Sequence, residues 1–261
     1  MDASRAIVAG ELTLESFKRQ NGVREVRRPF GNQPKRRSFL IVCEGEATEP
    51  NYFRAIAKCL PRNMVSNVVV EGVGGTPDYL LKFAKQKVEE RKAQGQPPFY
   101  HVWLVFDRDN FEHFTDTILA VERQNEENKR LPIAERPVEH WHCAWSNEAF
   151  ELWYILHFRE QLGGGISRSR YQEMLQENIR AMTPETGFVY QKNDGSMFRR
   201  LVPYVCDAIP RAERGLQKQL AEHGTDWASM NPATCVHQLV RDLLAYMRRG
   251  QDALCDQSCR L

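Results

Sequence analysis

The chain alternates short apolar runs with longer segments of helical period. Phe39 to Cys43 and Val102 to Phe106 are uninterrupted apolar stretches, as expected of strands buried on both faces in a parallel sheet covered by helices. Asn67 to Glu71, rich in valine, predicts a second strand between them. His101 to Phe106 is then the third, and Val138 to Trp145 the fourth. Helical spacing fills the gaps. Thr48 is placed to cap a helix carrying Tyr52, Phe53 and Ile56, with Pro50 tolerated in its first turn. The loop from Gly72 to Pro77 leads into Tyr79, Leu80, Phe83 and Val88, and a further helix follows Asp109 through Phe114, Ile118 and Val121. Ser146 or Asn147 is read as the N-cap of a helix with Phe150, Leu152, Trp153, Ile155, Leu156 and Phe158 inward.

Gly163-Gly164-Gly165 marks a joint. Beyond it the patterns are helical, from Tyr171 to Arg180, from Met197 through Leu220 with interruptions at Pro203 and Pro210, and from Pro232 to Met247. Asn231-Pro232 reads as a helix start, proline suiting the first helical position. The fold class predicted is α/β, a mainly parallel sheet flanked by helices, with a C-terminal helical extension. The division expected is a basic N-terminal segment over 1–37, an α/β core over 38–160 and a mostly helical region over 161–261.

Composition narrows the class only a little. A chain of 261 residues with 42% hydrophobic and 27% charged positions is that of an ordinary globular protein. Its net charge of +2 gives no global attraction to a polyanion, so nucleic-acid affinity has to come from local patches. One such patch is the stretch Arg24, Arg27, Arg28, Lys35, Arg36 and Arg37, broken by Pro29, Gly31 and Pro34. Arg27, Arg28, Lys35, Arg36 and Arg37 are candidate phosphate-backbone contacts. A solvated leader is the other reading of the same charges. The seven cysteines form no zinc-like pair of CxxC motifs, which favours free thiols in a reducing compartment. With no apolar run long enough for a membrane helix and no signal segment, a cytoplasmic protein with no membrane partner is expected.

The chemistry lies where the apolar runs stop. Phe39 to Cys43 ends in Glu44, Glu46 and Glu49, and Val102 to Phe106 ends in Asp107 and Asp109. Ligands of open α/β sheets bind beyond the carboxyl ends of the strands. Either cluster alone is readable as solvated loop acids. Together they set several carboxylates around one point, which calls for a cation, and hard oxygen donors suit Mg2+ or Mn2+. Glu148 and Glu151 follow the fourth strand in the same way, and one of them is placed to reach the cluster or simply to help a helix start. Glu46 is the least secure, since its side chain is free to point away. Lys58, Lys82 and Arg108 are candidates to face a phosphate. The glycines before Pro77 are read as a strand-to-helix turn, or as backbone donors to an anion. His140 and His142 share a strand face, but the sequence places no further metal ligands beside them. There is no Gly-Lys-Ser/Thr phosphate loop, no nucleophile elbow, no HExxH and no CxxC redox pair.

The order apolar strand, Glu-Gly, helix, apolar strand, Asp-x-Asp resembles the Toprim domain of topoisomerases, primases and OLD nucleases. Glu44-Gly45 followed by Thr48-Glu49 is similar to the VEGxTE form of its first motif, with Cys43 in place of a small apolar residue. Asp107-Arg108-Asp109 is similar to the second. IVCEGEATEPNYF, the Gly74-Gly75-Thr76 turn, WLVFDRD, SNEAFELWYILHF and NPATCVHQLV together resemble the RloB family, over roughly Arg37 to Tyr246. Glu148-Ala149 stands where family members often have Pro-Cys.

The resemblance implies a Toprim-like nuclease core from bacterial anti-phage or restriction-associated loci, working beside an ABC/AAA-type ATPase, RloA. It implies Glu44, Asp107, Asp109 and Glu151 as catalytic residues, with Glu44, Glu49, Asp107 and Asp109 as ligands of Mg2+ or Mn2+. Glu44 is then a ligand or the general acid/base. The expected reaction is metal-assisted phosphodiester hydrolysis of RNA (tRNA among the candidates) or DNA. The alternative is a non-catalytic regulatory or nucleic-acid-binding subunit of such a complex. A homo-oligomer is left open.

Overall fold

A computed structural model describes residues 37–60, 65–108, 113–160, 163–183 and 185–248. Its centre is a five-stranded sheet in the order β2-β1-β3-β4-β5. The strands are β1 (Arg37–Cys43), β2 (Val65–Gly72), β3 (His101–Asp107), β4 (His140–Asn147) and β5 (Ala233–Thr234). The first four pair in parallel, and β5 is antiparallel to β4. The helices are α1 (Thr48–Ala57), α2 (Pro77–Ala93), α3 (Phe114–Arg130), α4 (Glu151–Leu156), α5 (Arg168–Met182), α6 (Met197–Leu201), α7 (Val205–His223) and α8 (Val236–Arg248).

Strand periodicity divides the core in two. Phe39, Ile41, Cys43, Trp103 and Val105 face one side, with α1, α4, α5, α7 and α8 contributing to the same cluster. Leu40, Val42, Val102, Leu104 and Phe106 face the other, where Leu80 and Ala84 of α2 and Ile118 and Val121 of α3 cover them. Successive side chains point to opposite faces, so a run apolar at every position is explained only by cover on both. Each fully buried Leu, Ile or Phe contributes about 1.5–3 kcal/mol of transfer free energy, which makes β1 and β3 the anchor of the molecule.

The α/β class and mainly parallel sheet expected from the pattern are present, with helices following in the C-terminal part. Those helices share the first cluster: Tyr171, Leu201, Val205, Leu239 and Leu243 pack with Phe39, Phe53 and Trp153. On α8, Val236, Leu239, Val240, Leu243 and Leu244 repeat at helical spacing, and all five are buried.

Several local expectations are corrected. Ser146 and Asn147 do not cap a helix; they end β4, pairing with Thr234 and Ala233 of β5. The Ser146 and Thr234 hydroxyls lie 3.0 Å apart, and helix α4 starts only at Glu151. Pro232 does not open a helix either. It follows a cis peptide from Asn231, and α8 begins at Val236. The capping role falls to Thr234, whose hydroxyl accepts the Val236 N–H at 3.2 Å. Thr48 lies within α1, and its hydroxyl donates to the Lys192 carbonyl at 2.8 Å instead of to its own helix. Pro203 does fall in a break, the 3-10 turn Val202–Tyr204, but α7 runs through Pro210. Buried Val205, Ala208, Ala212 and Leu216 on both sides of Pro210 offset its missing hydrogen bond. Cys43, Cys59, Cys143 and Cys235 are free thiols, whereas Cys206 is disulfide-bonded, against the expectation of free thiols throughout.

Candidate metal centre at the strand ends

The connection after β1 runs to β2 on one side and the connection after β3 to β4 on the other, so the strand order reverses between β1 and β3. In an open α/β sheet the crevice at such a switch point is where ligands sit. Glu44, just past β1, and Asp107, the last residue of β3, flank that crevice. The Glu44 Oε2 accepts the Asp107 backbone N–H at 3.0 Å, and the Glu44 N–H donates to the Val105 carbonyl at 2.8 Å. The two strand ends are therefore held together by the acid itself.

Glu49 enters from the first turn of α1 and is buried. A Cβ added to Gly45 would sit 2.1 Å from the Glu49 Oε2, so only glycine leaves room for this carboxylate. Glu151, the first residue of α4, is 3% exposed and accepts the Tyr190 hydroxyl at 3.1 Å. Asp107 forms an ion pair with Arg168 of α5 at 3.0 Å. Its other oxygen, Oδ1, is buried and has no hydrogen-bond partner among the described residues. A buried carboxylate oxygen left unpaired costs about 1–3 kcal/mol or more, so such an atom points to a missing cationic neighbour.

The electrostatics agree. Burial first, then Glu49, pushes the Asp107 carboxyl well above its ordinary value; Glu151 and Glu44 add to this and Arg168 opposes it. Burial also raises Glu49, helped by Glu151 and opposed by its backbone hydrogen bond, Arg168 and Lys192. The direction for Asp107 stands in spite of the short ion pair, because one guanidinium faces three neighbouring carboxylates and a low-dielectric surrounding. Among the described residues, four carboxylates face Arg168 and Lys192, an excess of acids that a divalent cation would relieve. The all-oxygen donor set fits Mg2+ or Mn2+.

Of the residues singled out from sequence, Glu44, Glu49 and Glu151 lie near enough to Asp107 to raise its carboxyl. Asp109 lies outside the described residues, as do Arg27, Arg28, Lys35 and Arg36. Arg37 opens β1, with its guanidinium 3.3 Å from the Tyr100 ring centre. That is about 20 Å of strand away from Glu44, so Arg37 does not line the cluster. Glu46 is exposed and turns toward the glycine loop, its Oε1 3.3 Å from where a Gly74 Cβ would be. In the same loop Gly75 has φ +101°, a conformation that glycine adopts freely. Lys82 pairs with Asp78 at 3.1 Å, Lys58 ends α1, and Arg108 lies over the Phe114 ring. The cation actually set against Asp107 is Arg168, which sequence reasoning missed, along with Tyr190 and Lys192. The one signal for Arg168 was its place just past the glycine joint at the start of a helical pattern.

No helix among the described residues is long and apolar enough to cross a membrane. No curated protein and no solved structure matches the chain. A family model described as RloB-like protein matches residues 39–243, from the second residue pair of β1 to the last turns of α8. That span contains Glu44, Glu49, Asp107 and Glu151 together with Arg168 and Tyr190, and it covers most of the chain: this protein belongs to the RloB-like protein family.

Proposed function

We propose that this protein is a metal-dependent nuclease of Toprim type, hydrolysing phosphodiesters in RNA or DNA. The observation that carries this reading is the convergence of Glu44, Glu49, Asp107 and Glu151 at the sheet's switch point, with a buried, unpaired Asp107 Oδ1 among them. Bound there, Mg2+ or Mn2+ would polarise a phosphoryl oxygen and supply activated water. Asp107, Glu49 and Glu151 hold the ion, and Asp109 is the fifth carboxylate proposed from the Asp-x-Asp motif. Glu44 is fixed by the Asp107 N–H, which orients it as a ligand or as the acid/base at the leaving oxygen. Tyr190 steadies Glu151. Arg168, half-buried beside Asp107, is placed to take up the charge of a phosphate drawn to the site.

Family membership supports an extension of this reading: action in anti-phage defence in the cytoplasm, with an ABC/AAA-type ATPase of RloA type supplying any nucleotide-driven step. The chain itself has no Gly-Lys-Ser/Thr phosphate loop. The basic stretch containing Arg27, Arg28, Lys35, Arg36 and Arg37 is the proposed contact to the nucleic-acid backbone.

One observation favours a second reading. Arg168 engages an oxygen of a proposed ligand, Asp107. A resting, non-catalytic subunit that regulates or recruits would keep such a pair closed. A cleavage assay separates the two: total cellular RNA and plasmid DNA with Mg2+ or Mn2+, with and without the ATPase, beside Asp107→Ala. Metal-dependent cutting that the variant lacks supports the nuclease and names its substrate. Cutting only with the ATPase identifies a gated effector, and none under any condition leaves the regulatory reading.

A further inference from the structure

The opposite end of the sheet carries a second constellation. His101 opens β3, and His142 lies diagonally across from it on β4, since His101 registers with His140 and Trp103 with His142. The His101 Nδ1 is 3.4 Å from the His142 Nε2. Asp242 reaches the pair from α8, and one donor atom from each of the three lies within 4.8 Å of the others. Both rings are clamped by stacking, His101 on Phe39 at 4.8 Å and His142 on Trp103 at 4.3 Å. Tyr246, one turn beyond Asp242, packs edge-on against Phe39 at 5.5 Å and draws that flank of α8 to the same place.

Two ring nitrogens at 3.4 Å are farther apart than the about 2.7–3.2 Å of an ordinary N–H hydrogen bond. They are at the spacing of two ligands on one ion: bonds of about 2.0–2.1 Å at a tetrahedral angle separate two nitrogens by roughly 3.3–3.4 Å. Two imidazoles and one carboxylate suit Zn2+ and its neighbours in the first transition row, and not Mg2+. The six residues from His101 to Asp107 put this cluster about 20 Å from the carboxylate centre.

We propose that His101, His142 and Asp242 form a Zn2+-class site that ties α8 to β3 and β4 at the N-terminal end of the sheet. Three protein ligands leave the fourth position of a tetrahedron to water. Asp242, half-buried on the flank of α8, supplies the carboxylate within 4.8 Å of both imidazoles. The site does not depend on the nuclease reading, since none of its residues serves the carboxylate cluster.

The test is titration of the chelator-stripped full chain with Co2+, followed by Zn2+, in the Asp107→Asn background to disable the carboxylate centre. The expected result is one equivalent of Co2+ per chain with the visible bands of four-coordinate cobalt, displaced by Zn2+ and indifferent to Mg2+. Asp242→Asn and His101→Gln should each weaken uptake at least about tenfold, because even supporting residues of metal sites cost that much. Asp242→Asn keeps its volume on a partly exposed helix and leaves folding intact, which circular dichroism checks. Absence of stoichiometric four-coordinate Co2+, or uptake unchanged in either variant, overturns the site.

Discussion

Arg168 meets Asp107 at 3.0 Å across the gap between α5 and the end of β3, so a cation from the last hundred residues sits against an acid of the sheet. On the proposed reading, Arg168→Gln frees an Asp107 oxygen for metal while removing a phosphate partner. Metal affinity measured by calorimetry should rise a few-fold. The turnover rate should fall at least about tenfold, since a charge-assisted hydrogen bond is worth roughly 1.5–3 kcal/mol. Weakened metal binding with unchanged turnover would assign the arginine a purely structural part.

Asp107→Asn should abolish cleavage by at least about 100-fold and lower Mn2+ affinity similarly, more than the loss of a supporting residue costs. Gel assays and Mn2+ titration read the two effects separately. Retained cleavage would remove Asp107 from the metal set.

Tyr190→Phe deletes only the hydroxyl that Glu151 accepts at 3.1 Å. A neutral hydrogen bond is worth about 0.5–1.5 kcal/mol, which predicts a roughly 2–10-fold drop in rate with folding intact. Rate and thermal midpoint are to be measured side by side; a large loss of stability with no change in rate would contradict the positioning role.

Glu49 gives a pH-dependent stability of known sign. Burial first, then Glu151, raises its carboxyl above the ordinary value of 4.5. The folded state therefore holds a proton that the unfolded state has released, and stability falls as pH rises from about 4.5 through the folded value. In EDTA at pH 7.5, an assay pH chosen as about three units above the ordinary Glu value, Glu49→Gln should be the more stable protein by about 1 kcal/mol, a few degrees in Tm. The difference should vanish below pH about 4, where both states are protonated. Mg2+ should reverse the order, since only the parent has the carboxylate to bind it.

Thr234→Val removes the hydroxyl that meets Ser146 Oγ at 3.0 Å and accepts the Val236 N–H at 3.2 Å. With both partners buried, a loss of about 1–3 kcal/mol in urea unfolding is expected. A neutral effect would show that β5 is held by its backbone alone.

The α/β class was legible because β1 and β3 are apolar at every position, a pattern that admits few structures other than a doubly covered strand. Glu44, Glu49, Asp107 and Glu151 were legible because each follows a strand and the crevice beyond strand ends is a general property of such sheets. Arg168 was not. In Ser-Arg-Ser-Arg it looks like Arg170, which turns out to be exposed and paired with Glu173 and Glu177 of its own helix. Only the docking of α5 separates them. Strand β5 was invisible, since two residues carry no periodicity, and so Ser146 and Asn147, good capping types, were given to a helix. The His101, His142 and Asp242 group was half seen: the shared face of His140 and His142 follows from strand alternation, but ligands from three elements leave no spacing to read.

Thr234 meets Ser146 from 88 positions further along the chain, and this has a consequence for synthesis. At about 5–20 residues per second, a ribosome needs roughly 4–18 s to deliver the second partner after the first. Through that interval the outer edge of β4 near Trp145 is an open backbone template beside large apolar side chains, the kind of edge that recruits other chains. Until β5 pairs with it, that edge is where association with another chain is easiest. Arg168 and Tyr190 precede Thr234 in the chain, so the acids at the strand ends gain their partners before that edge is covered.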